Sequence, residues 1–227
     1  MPSPASRTPP RRIALAGASG LVGRALLAQA LKAASQDRLH LVVRRSIEGI
    51  AESPRVTQQP VDFAALPALP PLHEAWCALG TTIRQAGSEA AFRAVDFDAV
   101  LAFARAVQQA GASRFAVVSA LGADPGSRVF YNRVKGEMEQ ALAGLGFATL
   151  VIARPSLLIG DRAALGQPSR LGERLAQAVS APLARLIPAR VRPIKAETVA
   201  RGMLAAMRQP GTGVRILESA ELQALGT

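Results

Sequence analysis

The sequence predicts an α/β protein built on one doubly wound parallel sheet. Three observations predict it. Short apolar runs alternate with amphipathic stretches from Ile13 to Glu218, an order that forces parallel strand pairing with helices on both faces. A glycine-rich turn, Gly17-Ala18-Ser19-Gly20-Leu21-Val22-Gly23, sits between the first apolar run and the first amphipathic one. The 227 residues are 49% hydrophobic, enough for one packed core, with no linker long enough to divide it.

Ile13–Ala16 is the first strand, ending at glycine. Leu21–Ala34 is a helix, with apolar residues at 22, 26, 27, 30 and 31. Leu39–Val43 and Val56–Val61 follow as strands, and Ala75–Leu79 leads into Gly80-Thr81-Thr82. One long helix is expected over Glu89–Ala110, stopped at Gly111. Phe115–Ser119 is a strand, Val129–Leu145 a helix closed by Gly146, and Ala148–Ala153 a strand stopped by Arg154-Pro155. Leu171–Val179 and Thr198–Met207 read as helices and Val214–Glu218 as the last strand.

Composition narrows the function classes. Cys77 is the single cysteine, so no intrachain disulfide forms, and with only His40 and His73 beside it no Cys/His zinc site assembles. A reducing, cytoplasmic setting is expected. The net charge of +11 comes from 24 Arg against Lys32, Lys135 and Lys195, spread in ones and twos. Aromatics are 4%, whereas nucleic-acid binders cluster charge and interleave stacking rings; no specific nucleic-acid partner is expected. Dispersed positive charge suits a phosphorylated or acidic small molecule. No uncharged stretch reaches the ~18 residues of a membrane span. Arg11-Arg12 before an apolar run resembles a twin-arginine export signal, but Gly17, Gly20, Gly23 and Arg24 interrupt that run.

The glycine turn has a phosphate-binding design. Gly17 permits a tight exit from the strand, Gly20 lets backbone approach a pyrophosphate, and Gly23 lets the helix lie close on the sheet. The helix N-terminus offers unpaired N–H groups and partial positive charge. Gly17, Ser19, Gly20, Leu21, Val22 and Gly23 are therefore expected to hold a dinucleotide, on a sheet of the Rossmann type. Twenty or so residues on, an NAD binder places a carboxylate for the ribose hydroxyls. Here Leu41-Val42-Val43 ends in Arg44-Arg45. Guanidinium groups bind a 2′-phosphate and a carboxylate repels it, so NADP(H) is favoured over NAD(H). The expected layout is a disordered Pro/Ser-rich tail over 1–10 and a single dinucleotide-binding domain over 11–227, its substrate-side elements mainly in 155–210.

Tyr131 is the only tyrosine, and Lys135 stands four residues after it on the predicted helix, so both project from one face. A phenol, pKa near ~10, is a poor proton carrier at neutral pH, and a neighbouring ammonium favours its ionised form. Carbonyl reduction needs a proton at oxygen as hydride arrives at carbon. Ser119, at the end of a strand where open α/β sheets place their sites, supplies a hydroxyl to polarise that oxygen.

These segments together resemble an atypical short-chain dehydrogenase/reductase, of the subgroup related to the Tat-interacting oxidoreductase-like protein. The similarity rests on Gly17–Gly23, Cys77–Thr82, Val118–Ala123, Tyr131–Glu137 and Arg154–Leu158. It implies catalytic roles for Ser119, Tyr131 and Lys135, with Lys135 also on the nicotinamide ribose. It further implies that Asp62 and Phe63 flank the adenine, that Leu79, Gly80 and Thr81 line the cofactor, and that Pro155, Ser156, Leu157 and Leu158 border the nicotinamide. Many members carry an asparagine on the long middle helix to hold a relay water; the counterpart here is Asp96.

Three functions compete: an NADPH-dependent reductase of a small carbonyl compound, an NADPH-binding regulator or assembly protein with little turnover, and a sugar-nucleotide epimerase or dehydratase. Arg162, Arg170 and Arg174 follow the predicted nicotinamide loop; solvated surface is the commoner role for such arginines, and contact with an acidic substrate is the alternative. Monomer and homodimer both remain open. Trp76 and Cys77 are expected in the core.

Overall fold

A computed structural model of the chain describes residues 10–33, 36–48, 53–159 and 187–226. The tail through residue 9 and the expected 171–179 helix, with Arg162, Arg170 and Arg174, lie outside them. Seven parallel strands form the sheet: β1 (Arg12–Ala16), β2 (Arg38–Val43), β3 (Val56–Pro60), β4 (Glu74–Cys77), β5 (Arg114–Val118), β6 (Thr149–Arg154) and β9 (Gly213–Glu218), in the order β3-β2-β1-β4-β5-β6-β9. The helices are α1 (Leu21–Lys32), α2 (Ile83–Ala86), α3 (Glu89–Arg93), α4 (Val100–Gln109), α5 (Phe130–Ala143), α6 (Ala196–Arg208) and α7 (Ser219–Leu225). The Rossmann-type architecture expected from the alternation is the one present.

Period-two alternation explains why both faces of the sheet are covered. Along β1, Leu15 packs on one side and Ala14 and Ala16 on the other; along β4, Trp76 faces with Leu15 while Ala75 and Cys77 face oppositely. One core layer joins Leu26 of α1 and Met203 of α6; the other joins Phe103 of α4 and Met138 and Leu142 of α5. Strands buried on both faces read as continuous apolar runs, which is why they were recognisable. Trp76 and Cys77 are core residues as expected, at 3% and 0% exposure.

The expected helix over Glu89–Ala110 is continuous in position but not in pitch. Between α3 and α4 the chain makes a π-helical segment, Ala94–Ala99, which turns Asp96 inward to 1% exposure. Elements too short for periodicity to mark are α2, capped by the Thr82 hydroxyl on Gln85 N–H, and a separate two-stranded parallel ladder of β7 (Leu158–Ile159) and β8 (Ile194–Lys195).

Candidate cofactor and active site

All seven strands run the same way, so their carboxyl ends share one rim of the sheet. The strand order reverses between β1 and β4, the switch point where such sheets bind ligands. Gly17 leaves β1 there with φ +81°, and a Cβ on it would lie 2.4 Å from the carbonyl carbon of Ala78, just past β4. A Cβ on Gly23 would meet the Gly17 carbonyl oxygen at 2.0 Å, so α1 sits directly on the turn. At Gly20 the same Cβ would meet only Gly17 O, at 3.5 Å. The turn is thus packed behind and open in front. Gly20 is the N-cap of α1, with no side-chain cap and no acidic residue in the first turn, leaving free N–H groups and positive potential facing that space. Ser19 is exposed, whereas Leu21 and Val22 pack inward and present backbone. These residues fit a pyrophosphate.

Arg44 and Arg45 follow β2, both exposed, and neither has a hydrogen-bond or ion-pair partner among the described residues. After β3, the exposed Asp62 accepts Ala64 N–H at 2.9 Å, and Phe63 is a core residue at 8% exposure, offering little more than an edge to a ligand. After β4, Leu79 packs partly on the core, Gly80 is exposed and Thr81 half-buried.

Lys135 and Asp96 face each other under Gly80. Lys135 Nζ lies 2.7 Å from Asp96 Oδ1, with side-chain exposures of 4% and 1%. That oxygen has no hydrogen bond of good angle; its contact is the ammonium. Asp96 Oδ2 accepts the Thr81 N–H at 2.8 Å. Burial is the largest single influence and disfavours the Lys135 ammonium, but Asp96, Tyr131 and Cys77 together outweigh it and the pKa lies above the ordinary lysine value. Tyr131 stands one turn above Lys135 on α5, its ring 5.2 Å from that of Phe92.

Ser119 is buried, and its hydroxyl donates to Glu139 Oε1. Glu139 lies two turns below Tyr131, about 12 Å along the helix axis. Arg154 holds the same carboxylate, with Nη2 2.6 Å from Oε2, and reaches Glu218 at 3.0 Å. The structure therefore brings Lys135 to the loop after β4, while the Ser119 hydroxyl donates into a separate carboxylate–guanidinium network. Sequence reasoning missed Glu139; Tyr131, Lys135 and Glu139 recur every four residues, and that spacing was the available signal. Pro155 O accepts Leu121 N–H at 3.0 Å, joining the loops after β5 and β6. Ser156 donates to Arg192 O and accepts from Ser219 at 3.0 Å, so its hydroxyl is a structural tie; Leu157 is exposed and Leu158 enters β7.

Known proteins place the chain among relatives. No protein-family model matches it. It is 34% identical over 222 residues to the protein HTATIP2 of Rattus norvegicus, covering 95% of this chain and 89% of that one. It is 34% identical over 147 residues to the mitochondrial protein FMP52 of Eremothecium gossypii, covering 64% of this chain and 66% of that one. Among solved structures, the UDP-glucuronic acid 4-epimerase of Bacillus cereus in complex with NAD superimposes with a TM-score of 0.66 at 13% identity, over 91% of this chain and 77% of that one. At such low identity the shared property is the fold.

The cytoplasmic location expected from the cysteine usage is contradicted: several similar proteins are named mitochondrial. The physical reason is that a reduced thiol marks a reducing environment and not a particular compartment, so cysteine usage could not separate the two.

Proposed function

We propose, on the premise that this chain belongs to the HTATIP2-like family of atypical short-chain dehydrogenase/reductases, that it is an NADPH-dependent reductase of a small carbonyl compound. The observation that carries this is the placement of Lys135: a buried ammonium beneath Gly80, next to the switch point, one helical turn from the chain's only tyrosine. Gly17, Ser19, Gly20, Leu21, Val22 and Gly23 would hold the pyrophosphate. Arg44 and Arg45 would take the 2′-phosphate, and Asp62 and Phe63 would flank the adenine. Leu79, Gly80 and Thr81, with Pro155 to Leu158, would border the nicotinamide. When bound, the cofactor supplies the hydride.

The residues do the remaining work. Tyr131 delivers a proton to the carbonyl oxygen, and Lys135 holds positive charge beside it and anchors the ribose. Ser119 polarises the carbonyl by turning its hydroxyl from Glu139, which Arg154 continues to neutralise. A dinucleotide-binding regulator with little turnover is the second reading; the observation in its favour is the Ser119 proton already engaged by Glu139. A sugar-nucleotide epimerase shares the fold, but Arg44-Arg45 argue against the NAD that such enzymes hold.

Calorimetry with NADPH, NADP⁺, NADH and NAD⁺ tests the cofactor. NADPH should bind most tightly and weaken by about tenfold or more in the Arg44→Ala/Arg45→Ala variant, the scale of a charge-assisted contact. Carbonyl turnover abolished by Tyr131→Phe supports the reductase. Binding without turnover supports the regulator, and no dinucleotide binding removes both.

A further inference from the structure

We infer that Asp96 is a positioning residue that holds Lys135 in place as a cation and latches the cofactor loop, so that one buried carboxylate organises both sides of the site. The inference rests on the Tyr131/Lys135 reading above.

Three elements meet at this side chain. The π-helical segment Ala94–Ala99 supplies Asp96, α5 supplies Lys135, and the loop after β4 supplies Thr81. Oδ1 lies 2.7 Å from Lys135 Nζ and Oδ2 accepts the Thr81 N–H at 2.8 Å. Gly80 closes over the pair: a Cβ there would come within 3.3 Å of Asp96 Oδ1 and 3.9 Å of Lys135 Nζ. An alanine there would press on Asp96 Oδ1, which would have to give by a few tenths of an ångström.

The burial decides what the pair is for. A lone ammonium at 4% side-chain exposure is strongly disfavoured and would release its proton. Asp96 supplies opposite charge at contact distance and is the largest influence opposing that burial, with Tyr131 adding to it. The titratable groups that bear on Lys135 are Asp96 from the π segment, Tyr131 from its own helix and Cys77 from β4. Cys77 stays a neutral thiol, its pKa pushed up to about 12 by burial, so Asp96 is the carboxylate that keeps Lys135 charged.

An ammonium has three N–H donors. The contact with Asp96 Oδ1 is an ion pair at 2.7 Å, which leaves donors for a ribose hydroxyl and the Tyr131 side. An asparagine at this position would keep a carbonyl acceptor but lose the charge. Asp96 instead meets Lys135 and Thr81 directly, one with each oxygen. The π turn belongs to this function, because it interrupts a regular helix at the residue that must reach inward, the usual setting of π-bulges.

The test is the pH dependence of NADPH binding by calorimetry, from about pH 6.5 to about pH 9.5, a range below the ordinary lysine pKa. Wild type should bind with nearly constant affinity throughout. Asp96→Asn should match wild type near pH 6.5 and lose about tenfold or more towards pH 9.5, as its unpaired lysine loses its proton, approaching Lys135→Met. Wild-type-like flat binding by Asp96→Asn, or weakening by one factor at every pH, overturns the role and leaves the NADPH reading standing. No NADPH binding by wild type at any pH removes both.

Wild type alone supplies a second readout that needs no folded variant. Titrations near pH 9 in buffers of different ionisation heat report protons taken up on binding. Lys135 already charged in the free protein predicts essentially none; uptake of about one proton overturns the proposal.

Discussion

The Ser119 hydroxyl donates to the Glu139 carboxylate, tying the end of β5 to the third turn of α5. Arg154 grips the same carboxylate at 2.6 Å. Removing Ser119 therefore deletes one donor among several, whereas removing Glu139 leaves Arg154 without its buried partner. By urea unfolding, Ser119→Ala should lower stability by about 1 kcal/mol and Glu139→Ala by about 3 kcal/mol. If Ser119 turns to hold a carbonyl, Ser119→Ala also lowers kcat by about a hundredfold with NADPH affinity unchanged. Unchanged kcat would leave Ser119 a structural residue.

Two of the three glycines of the turn after β1, Gly17 and Gly20, should respond differently to alanine. Gly17→Ala meets a positive φ and an overlap with Ala78, and should lower stability by about 3 kcal/mol or more. Gly20 has φ −81° and open space, so Gly20→Ala should change stability by no more than about 1 kcal/mol. The methyl group would instead stand where the pyrophosphate approaches, and NADPH affinity should fall about tenfold or more. Thermal melts paired with calorimetry separate the two effects.

Arg44 and Arg45 contribute no ion pairs among the described residues, so replacing both with alanine should leave the melting temperature unchanged. Their attraction to a 2′-phosphate is screened by salt. Raising ionic strength should weaken wild-type binding of NADPH more than of NADH, and the double variant should lose that difference.

Cys77 is fully buried, and burial pushes its thiol from the ordinary 9.0 up to about 12. The thiolate is the reactive form, so native protein should resist a thiol-specific reagent near pH 8 and react fully in denaturant. With the folded pKa raised, the contribution to stability is complete below about 9, falls progressively as pH rises, and is lost by about 12. Rapid native labelling would contradict the burial.

The strands were legible because β1, β2, β5 and β6 are apolar on both faces and bounded by glycine, proline or charge. The π segment was not. Ala90, Ala91, Ala94 and Ala99 fit almost any helical phase, so their periodicity cannot register an extra residue per turn. Asp96 alone marked the place, and its pairing with Lys135 joins positions 39 residues apart. Glu139 shares a helix face with Tyr131 and Lys135, but its partners Ser119 and Arg154 come from strand ends on either side in the chain. Pattern within one helix cannot report such a junction. Two-residue strands such as β7 lie below any period.

The all-parallel sheet sets the order in which the chain can assemble its site during synthesis. Parallel neighbours cannot be joined by a hairpin, and β1 pairs with β4 as Ile13 with Glu74, across 61 residues. The wall behind Gly17 is Ala78, so the phosphate turn near the start of the chain has no backing until that later segment emerges from the ribosome. Long-range pairing of this kind is intrinsically slow and leaves strand edges exposed in the interim. The glycine turn thus gains its backing only once the chain has been made through Ala78, 61 residues beyond Gly17.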